Sequence, residues 1–322
     1  MNRTERQQFY ANHLPAGTPV FHQPWWLQAC CGSNWDAVTL SGDSGMEAYY
    51  VYAFRHSLLG LHLLMPPLTA YLGPAILAAA PDAEHNLHRE TELLIRLEDN
   101  LPACIHFESR WQPQYQNWLP FHWKKYHQSV RYTHLLKLPA EANDLHKGFS
   151  EKIHREIARA EKRYVVSLAN DTDALFGLVS ETLRRKKAFL NFSASYLRQL
   201  FAACQTHHAG AIWHAVTDDG KIHAAVFIVW DKEKAYYVIG GRSPGSGNSG
   251  AMSLLFWEVF KHLCGRTKVF DFEGSMLEGV GSYFRSFGAR CVPYFSLRKT
   301  SHWLLRSKEA LKYVLKGKLW DF

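Results

Sequence analysis

Asp271 and Glu273 stand in an apolar run, VFDFEG (269–274), that passes through a Gly-Ser pair into an aromatic-basic segment, SYFRSFGA (282–289). On a strand over 267–273, Val269, Asp271 and Glu273 share one face and Phe270 and Phe272 take the other. A carboxylate at the carboxyl end of a central strand can act as a proton acceptor, because half burial lifts its pKa toward neutrality. Arg285 stands next to Phe284 in the segment that follows. The same residues also suit plain structure: a strand-end acid paired to an arginine or capping the next helix, and Arg285 bridged to Asp271 or Glu273. Both readings stand at this level.

A second constellation precedes it. The loop GRSPGSGNSG (241–250) lies between an apolar strand pattern and a helical one. Gly245, Gly247 and Gly250 would let backbone N–H groups approach a phosphate, and the helix N-terminus adds its positive dipole. A pyrophosphate would fit there. The plainer reading is a flexible turn with Ser249 as the helix N-cap. Tyr237, on the strand that feeds the loop, and Phe284 are the aromatic candidates to touch substrate.

Other chemistries are disfavoured. The eighteen histidines include His85/His88 and His122/His127, which lack a third ligand at useful spacing, so no metal is expected. Gly245-Ser246-Gly247 and Gly247-Asn248-Ser249-Gly250 do not form the Gly-x-Ser-x-Gly elbow of a serine hydrolase. Arg155, Arg159, Lys162 and Arg163 recur at offsets of four, three and one along a helical stretch whose other face carries Ile153, Ile157 and Ala160. A solvated helix face explains them better than phosphate contact.

The 322 residues carry a net charge of +8 and 47% hydrophobic content, a globular chain suited to anionic partners. Six cysteines without a Cys-x-x-Cys spacing, and a polar N-terminus without an apolar core, point to a cytoplasmic setting with free thiols. His56–Pro81 has no charged residue, yet Pro66, Pro67, Pro74, Gly60 and Gly73 would break a spanning helix, so no transmembrane segment is expected. Residues 298–322 hold seven Lys/Arg against Glu309 and Asp321, with Trp303, Leu311, Leu315 and Trp320 on an apolar side. A terminal helix docked on the body is expected there, with peripheral membrane contact through 302–320 as the alternative.

The elements that must position the chemistry repeat. Short strands near 36–41, 46–55 and 58–64, a helix over 83–99 and strands at 103–108 and 128–138 fill the first half. Helices near 149–162, 172–187 and 194–207 open the second. Strands at 211–217, 222–230 and 235–240, a helix at 250–264, a strand at 267–273, a short helix at 279–286 and a strand at 290–298 complete it. GDSGMEAYYVYAF (42–54) parallels DDGKIHAAVFIVW (218–230), and CIHFES (104–109) parallels VFDFEG. Two copies of one α/β unit follow, each a mixed sheet flanked by helices.

That unit, with EKIHREIARAEKRYVVSL (151–168) opening the second copy and Phe284-Arg285, Phe287-Gly288 closing it, resembles the GNAT N-acetyltransferase fold. In tandem it resembles the FemAB/FemX peptidoglycan-bridge enzymes of bacteria. The resemblance implies two GNAT-like units, at 1–140 (structural, acceptor side) and 141–300 (donor-binding, catalytic), with a basic helix at 301–322. It implies transfer of an acyl group from acyl-CoA or acetyl-CoA to an amine, with Asp271, Glu273 and Arg285 catalytic. Arg242, Gly245, Gly247, Ser249 and Gly250 would bind the cofactor, since 242–247 loosely matches the superfamily's coenzyme A loop. Aminoacyl-tRNA is the alternative donor, for transfer to a cell-wall precursor, and a non-catalytic binding module the alternative outside enzymes.

Overall fold

The computed structural model describes residues 1–43, 45–77, 83–245, 249–274 and 276–301. The expected basic helix over 302–322 and the loop residue Gly247 lie outside these. The first half contains α1 (Arg3–Asn12), α2 (Pro24–Cys31), β1 (Trp35–Gly42), β2 (Gly45–Ser57), β3 (Gly60–Leu64), β4 (Pro74–Ile76), α3 (Ala83–Asp99), β5 (His106–Arg110), α4 (Leu119–Trp123) and β6 (His127–Lys137). The second contains α5 (Ala142–Lys147), α6 (Glu151–Ala160), β7 (Val165–Ala169), α7 (Thr172–Arg185), α8 (Ala194–Thr206), β8 (Gly210–Val216), β9 (Ile222–Trp230), β10 (Lys234–Arg242), α9 (Ala251–Leu263), β11 (Val269–Asp271), α10 (Glu278–Arg285) and β12 (Arg290–Thr300). Among the described residues, no helix is long and apolar enough to cross a membrane.

All these strands join one mixed sheet in the order β1-β2-β3-β5-β12-β6-β11-β10-β9-β8-β7, with β4 added on β2. Neighbours are antiparallel except at β3·β5 and β10·β11, which are parallel. Those two parallel contacts occupy equivalent places in the two halves, so CIHFES and VFDFEG are counterparts in the fold as in the sequence. The halves are not closed by their own strands, however. β6, from the first half, pairs with β11, and β12, from the second, sits between β5 and β6. Each half therefore borrows its last strand from the other.

Helices cover both faces. Ile153 and Ile157 of α6, Phe256 and Phe260 of α9, and Phe284 and Phe287 around α10 bury one face of the second half. Leu175, Val179, Leu197 and Phe201 of α7 and α8 bury its other face, together with Phe21 and Trp26 of the first half. The alternation that buries Ile153, Ile157 and Ala160 leaves Arg155, Arg159, Lys162 and Arg163 in solvent. The basic stripe is a solvated face, as its period indicates.

Candidate active site

The two parallel strands of the second half part company early. β10 and β11 pair from Lys234↔Val269 to Tyr236↔Asp271. Beyond that point β10 runs on to Arg242 along β9, while the chain leaves β11. A cavity of about 470 Å³ opens in the fork. Its walls are Tyr237, Gly240, Gly241 and Arg242 of β10, Gly250 to Ser253 and Phe256 at the start of α9, and Val280, Tyr283 and Phe284 of α10. Lys152 and Glu156 of α6, Thr182 of α7 and Lys186 just after it also line the cavity.

Glycines let these walls meet. A Cβ on Gly250, whose φ is +79°, would collide with the Glu156 carbonyl oxygen. Gly250 itself is the α9 N-cap, in the left-handed conformation, which corrects the expectation that Ser249 caps the helix. Ser249 Oγ accepts the neighbouring Ala251 N–H, at 3.3 Å. A Cβ on Gly241 would run into the Leu178 backbone, so β10 rests directly on α7.

Inside the cavity, the Ser253 hydroxyl donates to Glu156 Oε2 at 2.6 Å and lies 2.9 Å from the Tyr283 hydroxyl. Burial pushes the Tyr283 phenol far up, so it is a proton donor rather than a phenolate at neutral pH. Lys152, Lys186 and Arg242 put three cations on the wall near the α9 N-terminus, with Glu156 the acid among them. The site can hold an anionic chain at this wall and an acyl group in the fork.

Of the residues singled out from sequence, Tyr237, Phe284, Arg242 and Gly250 line this cavity; Gly245, Ser249, Asp271, Glu273 and Arg285 do not. Gly245 is exposed on the approaching loop, with open space around its Cα. Asp271 is fully buried. Its carboxylate accepts from the Tyr71 hydroxyl at 2.8 Å, from the Thr133 hydroxyl and from the Glu273 N–H at 2.9 Å. Burial raises its pKa, and the hydrogen bonds and Lys234 pull it back.

Glu273 does not share a strand face with Asp271. β11 ends at Asp271, and Glu273 turns into the left-handed region, φ +55°. Alternation could not anticipate this, because the Asp271 carboxylate folds back onto the Glu273 N–H and ends the strand. Glu273 Oε1 is shielded from solvent and has no hydrogen-bond partner among the described residues. Burial, then the Asp271 charge, push its pKa well up, and Arg110 opposes them. It acts electrostatically on Tyr237 of the cavity wall.

Arg285 is exposed and, among the described residues, forms no salt bridge to Asp271 or Glu273. Its guanidinium lies over Gly281, beside the His134 ring, which burial and the Arg285 charge keep neutral. Sequence reasoning missed Glu156, Lys152, Ser253 and Tyr283 as site residues, and weighed Lys186 only within the basic run at 184–187. Tyr283 and Ser253 fall at helical positions that read as core; only the adjacency of Tyr283 to Phe284 could have drawn attention to it.

Comparison with known proteins agrees with this geometry. Residues 147–283 match the acetyltransferase (GNAT) domain family. No curated protein matches the chain by sequence. Among solved structures, FemX is similar over 92% of this chain and 96% of its own, with a TM-score of 0.64 at 12% identity. A tandem GNAT protein from the clavulanic acid biosynthesis pathway is similar over 92% and 95%, with a TM-score of 0.55 at 9% identity. L-PGS from Bacillus licheniformis is similar over 95% and 94%, with a TM-score of 0.52 at 14% identity.

Proposed function

We propose, from the premise that this chain has the tandem GNAT, FemX-like fold, that it moves an acyl group from an activated donor to an amine. The fork cavity, walled by β10, α9 and α10, carries the reading, because it joins cationic side chains to an interior lined by Tyr237, Ser253 and Tyr283. Coenzyme A chemistry suits it: phosphates at Lys152, Lys186 and Arg242, and the thioester in the fork. The clavulanate-pathway tandem GNAT structure is the form of that protein without AcCoA, a donor of the same class.

In this scheme the amine approaches from the Glu273 side of the sheet. Its ammonium loses a proton to the Glu273 carboxylate, whose raised affinity matches the task. The nitrogen then bonds to the acyl carbon, and the carbon–sulfur bond breaks as the tetrahedral intermediate collapses. The leaving thiolate takes the Tyr283 proton, the second proton of the attacking nitrogen returns to the Tyr283 oxygen as the amide forms, and Glu273 releases its proton to solvent. Asp271 holds the Glu273 backbone in place, and Arg285 lends positive potential to the α10 wall.

Thermal-shift titration with coenzyme A and acetyl-CoA tests the donor. A shift that is lost in Arg242→Ala supports it, and no shift with either sinks it. Tyr283→Phe should lower kcat by roughly 10²- to 10⁴-fold with little change in the donor KM, in line with the usual share of general acid–base catalysis. An aminoacyl-tRNA donor is the second reading. The FemX similarity favours it, and a shift with aminoacyl-tRNA but not with coenzyme A would establish it in place of the first.

A further inference from the structure

The sheet face on the Glu273 side carries a basic strip that the donor cavity does not use. Strand registers set it out in rows. Arg55 is opposite His62, and His62 is opposite His106. Glu108 is opposite Arg298, which is opposite His127. Arg110 is opposite Ser296, and one step further along β12 Tyr294 is opposite Arg131. Side chains paired across strands share a face. Within these rows the arginines outnumber the acid, Glu108, which reaches Arg298 at 3.5 Å and Arg110 at 3.9 Å; Asp271 and Glu273 lie at the inner end.

The strip ends at Glu273. A Cβ on Gly274 would lie 3.0 Å from the Tyr294 hydroxyl, which places that hydroxyl against the residue after Glu273. Arg110 and Arg131 act on Tyr294, Glu273 and Asp271 act on it in the opposite direction, and Arg110 also acts on Glu273, so these groups share one field. β5, β12 and β6 are consecutive, which puts Arg110 and Arg131 on strands about 10 Å apart with Tyr294 between them. Arg131 is exposed and Arg110 half-buried, so both can reach a ligand. At the inner end, Glu273 Oε1 is shielded and unpartnered among the described residues.

We infer that this is the acceptor subsite, and that the acceptor is an amine carrying an anionic group, phosphate or carboxylate. The ammonium pairs with the Glu273 carboxylate, and the anion sits between Arg110 and Arg131. A purely cationic amine would be repelled by the strip, and a polyanion by the shielded Glu273 carboxylate. An amphoteric acceptor satisfies both ends. The inference rests on the acyl-transfer reading for its place in the reaction, but its test does not need a donor.

Ligand-observed NMR on the full chain, with ethanolamine, O-phosphoethanolamine and glycylglycine as probes, measures the preference. One of the two anionic amines should bind at least tenfold more tightly than ethanolamine, and which one it is names the anion. Arg110→Gln and Arg131→Gln should each reduce that preference severalfold, with acetyl-CoA titrations unchanged. Arg131→Gln alters an exposed side chain and keeps the test open if Arg110→Gln fails to fold. Equal binding of the three amines, absence of binding, or a preference that survives both substitutions overturns the inference. Loss of coenzyme A binding in the unmodified chain would overturn the donor reading and leave this result intact.

Discussion

Glu273 combines features that cost stability. Its backbone is left-handed, and its shielded carboxyl oxygen has no partner among the described residues. Such arrangements cost about 1–3 kcal/mol each and persist where function holds them. The pH dependence has a definite sign. A carboxyl whose folded pKa is raised favours its neutral form in the fold. Its contribution is intact below the unfolded value of about 4.3 and is lost as pH rises through the folded value. Glu273→Gln removes that loss. We expect the variant to melt above the unmodified protein at pH 8, with the gap narrowing toward pH 4.5, while acyl transfer falls by about 10²-fold or more. Melting curves at the two pH values check the first part; a gap independent of pH would refute it. Burial raises the Asp271 pKa as well, but there the charge is met by donors. Thr133→Val or Tyr71→Phe should each cost about 1.5–3 kcal/mol in urea denaturation, the usual effect of removing a hydrogen bond to a charged group.

Among elements, the joint between β10 and α9 depends on the absence of side chains. Gly250→Ala would drive a Cβ into the Glu156 carbonyl, and Gly241→Ala into the α7 backbone. Each should destabilise by roughly 2–4 kcal/mol, in the range of severe overpacking. Gly245→Ala, with open space around it but φ +78°, should cost only about 1 kcal/mol. Chemical denaturation of the three variants ranks them. Much of this architecture was legible in the sequence. The helix over 83–99 and the strands of the repeated hairpins follow from local period, and the counterpart strands β5 and β11 from internal similarity. The three-residue β4 was not, since Pro74 and Gly73 mask so short a pairing. Nor was β7, whose half-exposed edge lacks an apolar rhythm. The anion-loop reading picked out Gly250 and Arg242 because loop chemistry is local. Tyr283, Ser253 and the lysines of α6 and α7 come together only through packing, which no spacing records.

At the scale of the whole molecule, the exchange of β6 and β12 decides what can exist alone. A cut near residue 140 separates β6 from β11 and β12 from β5. We expect residues 141–322 expressed alone to aggregate or remain unfolded, and co-expression with residues 1–140 to restore a soluble complex, measured by size-exclusion chromatography. Independent folding of either fragment would contradict the paired register of Arg290–Arg298 with His127–Leu135. The exchange also has a consequence in time. β5 leaves the ribosome long before β12, and at about 5–20 residues per second its open edge waits roughly 10–40 s for the strand that covers it. During that interval His106, Glu108 and Arg110 alternate along an unpaired edge, and charged side chains are what keep such an edge from recruiting the wrong neighbour. Arg110, which we assign to holding an acceptor in the finished protein, would thus also help to guard the nascent one.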